Sequence, residues 1–277
     1  MKTKIWELDT KGYVSIDYPE EVRLAVLKAA KSWKHFCELP ILIKKDLPYS
    51  NSSAGVGYEL KDGSGVKGDK KENFDLALSA NDWIEKNIHS IKSPEVSTFL
   101  TNSSFLVQLI RPMVFDFAKQ VENEFGIEGF LEEVKNGSDV FFIRFIHYFG
   151  NREISDETAS AHIDQGGFTL HLYESDPGLE CLTYDKKWIS MPVGDKETVI
   201  IPSAQLQLRS GGKLRALAHR VVATKKTAED GRYSAVCFVQ LKNTPKYNKE
   251  KWGRLQEMEP GFNYDLTSGD IGKYFKI

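Results

Sequence analysis

The chain has 277 residues, 41% of them hydrophobic and 27% charged, with a formal net charge of -2. That length can bury a substantial core, and the ordinary composition excludes fibrous and disordered classes. Lys and Arg are scattered and balanced by Asp and Glu, so the footprint of a nucleic-acid binder is missing, and a small-molecule partner without nucleic acid is expected.

The start, from Met1 to Glu7, lacks the apolar stretch of a signal peptide, and no apolar run approaches the ~18 residues of a membrane span. The expectation is a cytoplasmic protein, monomeric and without a membrane partner. Asn51, Asn102 and Asn136 open glycosylation sequons, which then have no secretory route to use them. Cys37, Cys181 and Cys237 read as free thiols, too few and too scattered for a disulfide framework or structural zinc.

From Pro19 to Cys37 the apolar residues Val22, Ala25, Val26, Ala29, Ala30, Trp33 and Phe36 fall at helical spacing, which predicts an amphipathic helix. Tyr49 to Asn73 is rich in Gly, Ser, Asn and Lys and reads as a long irregular loop. Its Gly63-x-Gly65-x-x-Gly68 has no apolar strand leading in, so a dinucleotide-binding turn is rejected. A second helical region runs from Val96 to Phe125, where Pro112 is expected to kink or split it.

After about residue 139 the texture becomes short β-rich runs separated by turn residues: Val140 to Phe149, Gly167 to Tyr173, Glu180 to Tyr184, Thr198 to Pro202, Ala218 to Thr224 and Tyr233 to Leu241. Many strands without alternating helices predict a mainly β fold with flanking helices. The division expected within a single domain of residues 1–277 is a mostly helical region 1–139, a β core 140–242, and a C-terminal lid or brace 243–277.

His162-Ile163-Asp164 sits inside or beside a strand, where a two-residue spacing puts both side chains on one face. His219 heads another strand-like run. Two histidines and a carboxylate form the facial triad that leaves positions open on octahedral iron(II). Arg232-Tyr233-Ser234 repeats the two-residue spacing 13 residues later. An arginine pointing into a barrel needs an anion, and its planar fork matches a carboxylate that a nearby hydroxyl can share. Val236, Phe238 and Gln240 continue that face as candidate substrate-pocket wall, while Arg144 shares a face with Tyr148 and is a candidate for a substrate carboxylate or for a structural ion pair.

Together these motifs resemble the isopenicillin N synthase-like branch of the iron(II)/2-oxoglutarate dioxygenases. The resemblance extends through Thr169-Leu170, Gly178-Leu179-Glu180-Cys181, Trp188-Ile189 before Pro192-Val193-Gly194, and Ser210-Gly-Gly-Lys213 leading to His219-Arg220-Val221, with thinner likeness upstream at Phe36, Leu39-Pro40 and Gly57-Tyr58. It implies a double-stranded β-helix, a cupin-like jelly roll. It also implies iron on His162, Asp164 and His219, 2-oxoglutarate on Arg232, Ser234 and Tyr148, and dioxygen as oxidant. The implied reaction oxidises a small organic molecule by hydroxylation, desaturation or ring closure, releasing succinate and carbon dioxide. The family often has Asn two residues before the tyrosine, where this chain has Ile146. The alternatives are an iron oxidase that uses no 2-oxoglutarate, as isopenicillin N synthase itself, and a barrel that binds a ligand without catalysis.

Overall fold

The computed structural model describes residues 4–48, 56–62, 70–137, 141–184, 187–191 and 196–241. The Gly63 to Gly68 motif and the expected brace 243–277 lie outside them. In chain order the elements begin with a short helix α1 (Glu7–Thr10), strand β1 (Val14–Asp17), helix α2 (Glu20–Cys37) and a turn of helix α3 (Ile41–Lys45). Strands β2 (Val56–Asp62) and β3 (Lys70–Ala77) follow, then helices α4 (Asn81–Asn87), α5 (Pro94–Phe125) and α6 (Phe130–Asn136). The β-rich part comprises β4 (Phe142–Tyr148), β5 (Glu157–His162), β6 (Phe168–Glu174), β7 (Leu179–Leu182), β8 (Trp188–Ser190) and β9 (Glu197–Pro202). A short helix α7 (Ala204–Arg209), β10 (His219–Val222), α8 (Lys225–Asp230) and β11 (Arg232–Val239) complete the order.

Two antiparallel sheets form a jelly roll. The larger runs β1-β9-β6-β11-β4-β3-β2 and the smaller β5-β10-β7-β8. The expected double-stranded β-helix is therefore present, with two additions. Region 1–139 contributes β1, β2 and β3 to the larger sheet besides its helices. Part of the predicted irregular loop is a hairpin, since β2 pairs with β3 from Val56↔Leu76 to Asp62↔Lys70. The reason is polar pairing: the charged residues that make β3 look like a loop are buried and partnered, Glu72 with Lys44 and Asp75 with Arg144.

The helices cover the outer face of the larger sheet. α2 turns Trp33 and Phe36 inward, where they meet Phe99 of α5, Phe74 of β3 and Phe145 of β4 with ring centroids 4.9 to 6.1 Å apart. Rings at these distances pack edge-on or tilted, adding to the area they bury. α5 begins on a Ser93 cap with Pro94 in its first turn and ends at Gly126 in a left-handed conformation (φ 65°). It continues through Pro112 as one element, so the helix is not split there. Pro112 and Gln108, whose carbonyl the missing N–H would have met, are both exposed, so water can satisfy it. A second apolar cluster lies between the two sheets and includes Ile146, Tyr148, Leu179, Val221 and Val236. The site opens there.

Candidate metal and cosubstrate site

Antiparallel pairing makes the triad. β10 lies between β5 and β7 and places His219 opposite His162 on one side and Cys181 on the other, so histidines 57 positions apart become cross-strand neighbours with rings 4.5 Å apart. β5 ends at His162, and Asp164 lies just past it. His162 Nε2 stands 3.6 Å and His219 Nε2 3.8 Å from the Asp164 carboxylate oxygens. Ligand atoms of all three lie within 4.8 Å of one another, close enough to share one metal ion.

Each ligand is oriented from behind. His162 Nδ1 donates to its Ser160 carbonyl neighbour at 2.6 Å, and His219 Nδ1 faces the Leu217 carbonyl at 3.2 Å. Both bonds fix the tautomer that leaves Nε2 as a lone-pair donor. Thr169 on β6 donates its hydroxyl to Asp164 Oδ2 at 2.6 Å and is itself within 3.2 Å of Ser203. Burial pushes the Asp164 carboxyl upward, but the His219 and His162 rings and the His162 and Thr169 hydrogen bonds outweigh it and hold it well below the usual carboxylate range. Burial lowers His219 to about 4, only partly opposed by Asp164, so it is neutral at working pH. His162 is raised: burial pulls it down, and the hydrogen bond and charge of Asp164 more than compensate.

A cavity of about 510 Å³ spans from the triad to the far end of β11, lined also by Tyr148, Arg144, Arg232, Ser234, Phe238 and Gln240. Every residue picked from the sequence for the site thus lies on one cavity. Tyr148 is the register partner of Arg232. Arg144 is held by a two-pronged hydrogen bond to Asp75 at 2.7 and 2.6 Å, while its guanidinium lies 5.6 Å from the Phe238 ring. The connection from His219 to Arg232 is not a hairpin turn. β10 and β11 belong to different sheets, and the chain crosses between them through α8, capped by Thr224 and closed by Gly231 at φ 79°. Gly231 is tight as well as left-handed: a Cβ there would come within 2.5 Å of the Tyr148 carbonyl.

Neither His171 nor Glu174 is among the site residues read from the sequence, yet both line the cavity. His171 Nδ1 is 3.2 Å from Glu174 Oε1, its ring stands edge-on to His219 at 5.7 Å, and Arg232 Nη2 approaches Glu174 Oε2 to 2.6 Å. His171 was findable, since it shares strand parity with Thr169. Glu174 was not, because strict alternation puts it on the opposite face with Leu170 and Leu172. A register shift in the β6–β11 pairing pairs His171 with Val236 and Glu174 with Ser234, and returns the glutamate to the cavity side.

A second cluster with metal-ligand chemistry, Cys37, Glu72 and His147, lies outside this cavity. Its carboxylate is already taken by Lys44 at 2.6 Å, Tyr58 at 2.7 Å and His147 at 2.9 Å. A metal cation there would face the Lys44 ammonium. Burial raises the Cys37 thiol well above its ordinary range, so it is no ready thiolate. The cluster is a structural network.

The model of the 2OG-Fe(II) oxygenase superfamily matches residues 139–241. A UPF0676 protein of Schizosaccharomyces pombe is 26% identical over 200 residues, 67% of this chain and 61% of that protein, so the match spans about three-fifths of the relative's length. A 2-oxoglutarate-dependent dioxygenase of Didymella fabae is 33% identical over 82 residues, 29% of this chain and 24% of its own. Among solved structures, a full-length Neurospora crassa protein in complex with alpha-KG superposes with a TM-score of 0.70 at 17% identity, covering 98% of this chain and 87% of that one. At that identity the likeness shows the fold.

Proposed function

We propose, from the match of residues 139–241 to the model of the 2OG-Fe(II) oxygenase superfamily, that the protein is an iron(II)- and 2-oxoglutarate-dependent dioxygenase acting on a small organic molecule. The observation that carries this reading is one cavity holding both a converged His162, Asp164 and His219 and, on β11, a buried arginine whose fork makes no directed hydrogen bond. Arg232 is 1% exposed, its Nε donates to the Asp176 carbonyl at 3.1 Å, and its Nη2 lies 2.6 Å from Glu174 Oε2, yet neither Nη1 nor Nη2 makes a directed hydrogen bond. A buried guanidinium with its fork unfilled beside a three-ligand centre fits a metal-chelating acid with a second carboxylate.

Iron(II) and 2-oxoglutarate, when bound, supply the oxidative chemistry, with dioxygen as oxidant and succinate and carbon dioxide as products. The chain supplies position. His162 and His219 present lone pairs in a fixed tautomer, Asp164 adds the anion, and the remaining coordination positions stay free for cosubstrate and dioxygen. Arg232 and Ser234, with Tyr148 opposite, hold the distal carboxylate. Ile146, Leu179 and Val236 make the walls apolar and limit water. Phe238, Gln240 and Arg144 are the substrate-facing wall in this reading. Whether the product is hydroxylated, desaturated or cyclised depends on which substrate hydrogen that wall presents.

The cavity volume suits a small molecule, and the net charge of -2 offers a polyanion no overall electrostatic attraction. No helix among the described residues is long and apolar enough to cross a membrane. We read residues 1–277 as one oxygenase domain. The test is succinate release from iron(II), 2-oxoglutarate and a substrate panel, with bound iron measured in parallel. Wild-type protein that binds no more iron than its His219→Ala variant and releases no succinate would refute the proposal.

A further inference from the structure

Arg232 is not waiting alone. The strand register that sets Ser234 beside the expected carboxylate subsite also sets Glu174 opposite Ser234. Glu174 and Arg232 side chains are each 2% exposed and approach to 2.6 Å. The contact is off axis: Glu174 Oε2 and both Arg232 Nη atoms are buried without a directed hydrogen bond. An arginine–carboxylate pair free to relax takes a parallel two-bond geometry, as Arg144 does with Asp75. Glu174 is restrained on its other oxygen by His171 Nδ1 at 3.2 Å, and His171 Nε2 is itself a buried orphan on the same cavity. The glutamate thus neutralises the arginine without filling its fork.

Resting on the reading above that Arg232 receives the distal carboxylate of 2-oxoglutarate, we propose that Glu174 is a specificity-determining residue of the cosubstrate subsite, an internal carboxylate that competes with the ligand's own for Arg232. A dianionic cosubstrate meets a subsite whose fixed charges already cancel. To bind, it must push Glu174 off the guanidinium or share the fork with a like charge, and either lowers its affinity. The directed bonds that Glu174 leaves unmade are what allow the ligand to win. An oxo acid without a distal carboxylate has no claim on Arg232 and does not feel this competition. Glu174 therefore sets how strongly the site prefers 2-oxoglutarate over shorter 2-oxo acids.

The experiment is calorimetric titration of the iron(II)-loaded protein under anaerobic conditions, where no turnover occurs, with 2-oxoglutarate and with 2-oxobutyrate. Glu174→Gln keeps the size and removes the charge. It is expected to tighten 2-oxoglutarate by about tenfold, the size of one charge-assisted bond gained, while leaving 2-oxobutyrate within about twofold. Glu174→Asp, which withdraws the carboxylate by one methylene, is expected to tighten 2-oxoglutarate by a smaller factor and decides the matter if the glutamine variant does not fold. A Glu174 that merely props up Arg232 predicts the opposite: both variants bind 2-oxoglutarate more weakly, or both oxo acids shift together, and either result overturns the proposal. If neither wild type nor variants bind 2-oxoglutarate although iron is present, the cosubstrate reading fails, and this inference with it. Binding that is sound in wild type and not tightened in the variants removes only the competition.

Discussion

Glu72→Gln tests the claim that the cluster beneath α2 and α3 is structural. Glu72 accepts from Lys44, Tyr58 and His147, and Lys44 also donates to the Cys37 carbonyl at 2.9 Å, so one carboxylate ties the end of α2 to β2, β3 and β4. Burial opposes its charge, yet the hydrogen bonds from His147, Lys44 and Tyr58 and the Lys44 charge lower it from 4.5 to about 2. A carboxyl lowered that far on folding contributes about 3 kcal/mol at neutral pH. Because the folded value is depressed, this stability is fully present above the unfolded value near 4.5 and is lost as pH falls towards 2. The glutamine variant leaves Lys44 buried without its counter-ion, for which a cost of about 3–5 kcal/mol agrees with that figure. Urea unfolding of both proteins at pH 7 should differ by about 3 kcal/mol, and the gap should close by roughly half at pH 3. A gap under about 1 kcal/mol at pH 7, or one that does not change between pH 7 and pH 3, would refute the reasoning.

Replacing His162, Asp164 or His219 with Ala should weaken iron binding by more than the ~10–100-fold typical of losing an outer partner, while circular dichroism stays native; metal analysis after anaerobic loading checks it. Iron affinity should fall about tenfold per unit as pH drops below the raised value of His162, because a proton then holds the ligand nitrogen, whereas His219 stays neutral down to about 4. Arg232→Lys should cost far more 2-oxoglutarate affinity than its conserved charge suggests, with iron affinity unchanged, since an ammonium cannot reproduce the fork; calorimetry with each ligand separates the two. Phe238→Ala removes a half-buried ring tilted against Phe142 at 5.3 Å on the cavity wall, so succinate formation should outrun product formation with little loss of melting temperature. A destabilised but fully coupled variant would make the ring structural.

The parts of the fold and site that follow local rules were legible in the sequence. Helical spacing from Val22 to Phe36 and the β-rich runs after residue 139 correspond to α2 and to most of the jelly roll. His162 with Asp164 and Arg232 with Ser234 stood out by two-residue spacing, and His219 by its place at the head of a strand-like run, all features that do not depend on which strand pairs with which. What was hidden depends on pairing across the chain. β3 carries Glu72, Asn73 and Asp75 in its buried stretch, and such residues read as strand only once Lys44 and Arg144 are known to meet them. Glu174 was hidden for a different reason, a register shift that alternation cannot anticipate. Pro112 shows a third: its cost depends on whether the face it occupies meets water.

The strand order of the larger sheet bears on how the protein is made. β11 is the last strand of the described chain, yet it sits in the middle of seven, between β6 and β4. Until residue 239 has left the ribosome the larger sheet cannot close, because β1-β9-β6 and β4-β3-β2 meet only through β11, and any part of either half that has formed has its inner edge open. Such edges invite pairing with other chains, and non-local closure is slow. Arg232 and Ser234 arrive on the closing strand, so the cosubstrate subsite is assembled in the same step that seals the sheet, and a nascent chain has no such subsite to offer before it is safe from mispairing.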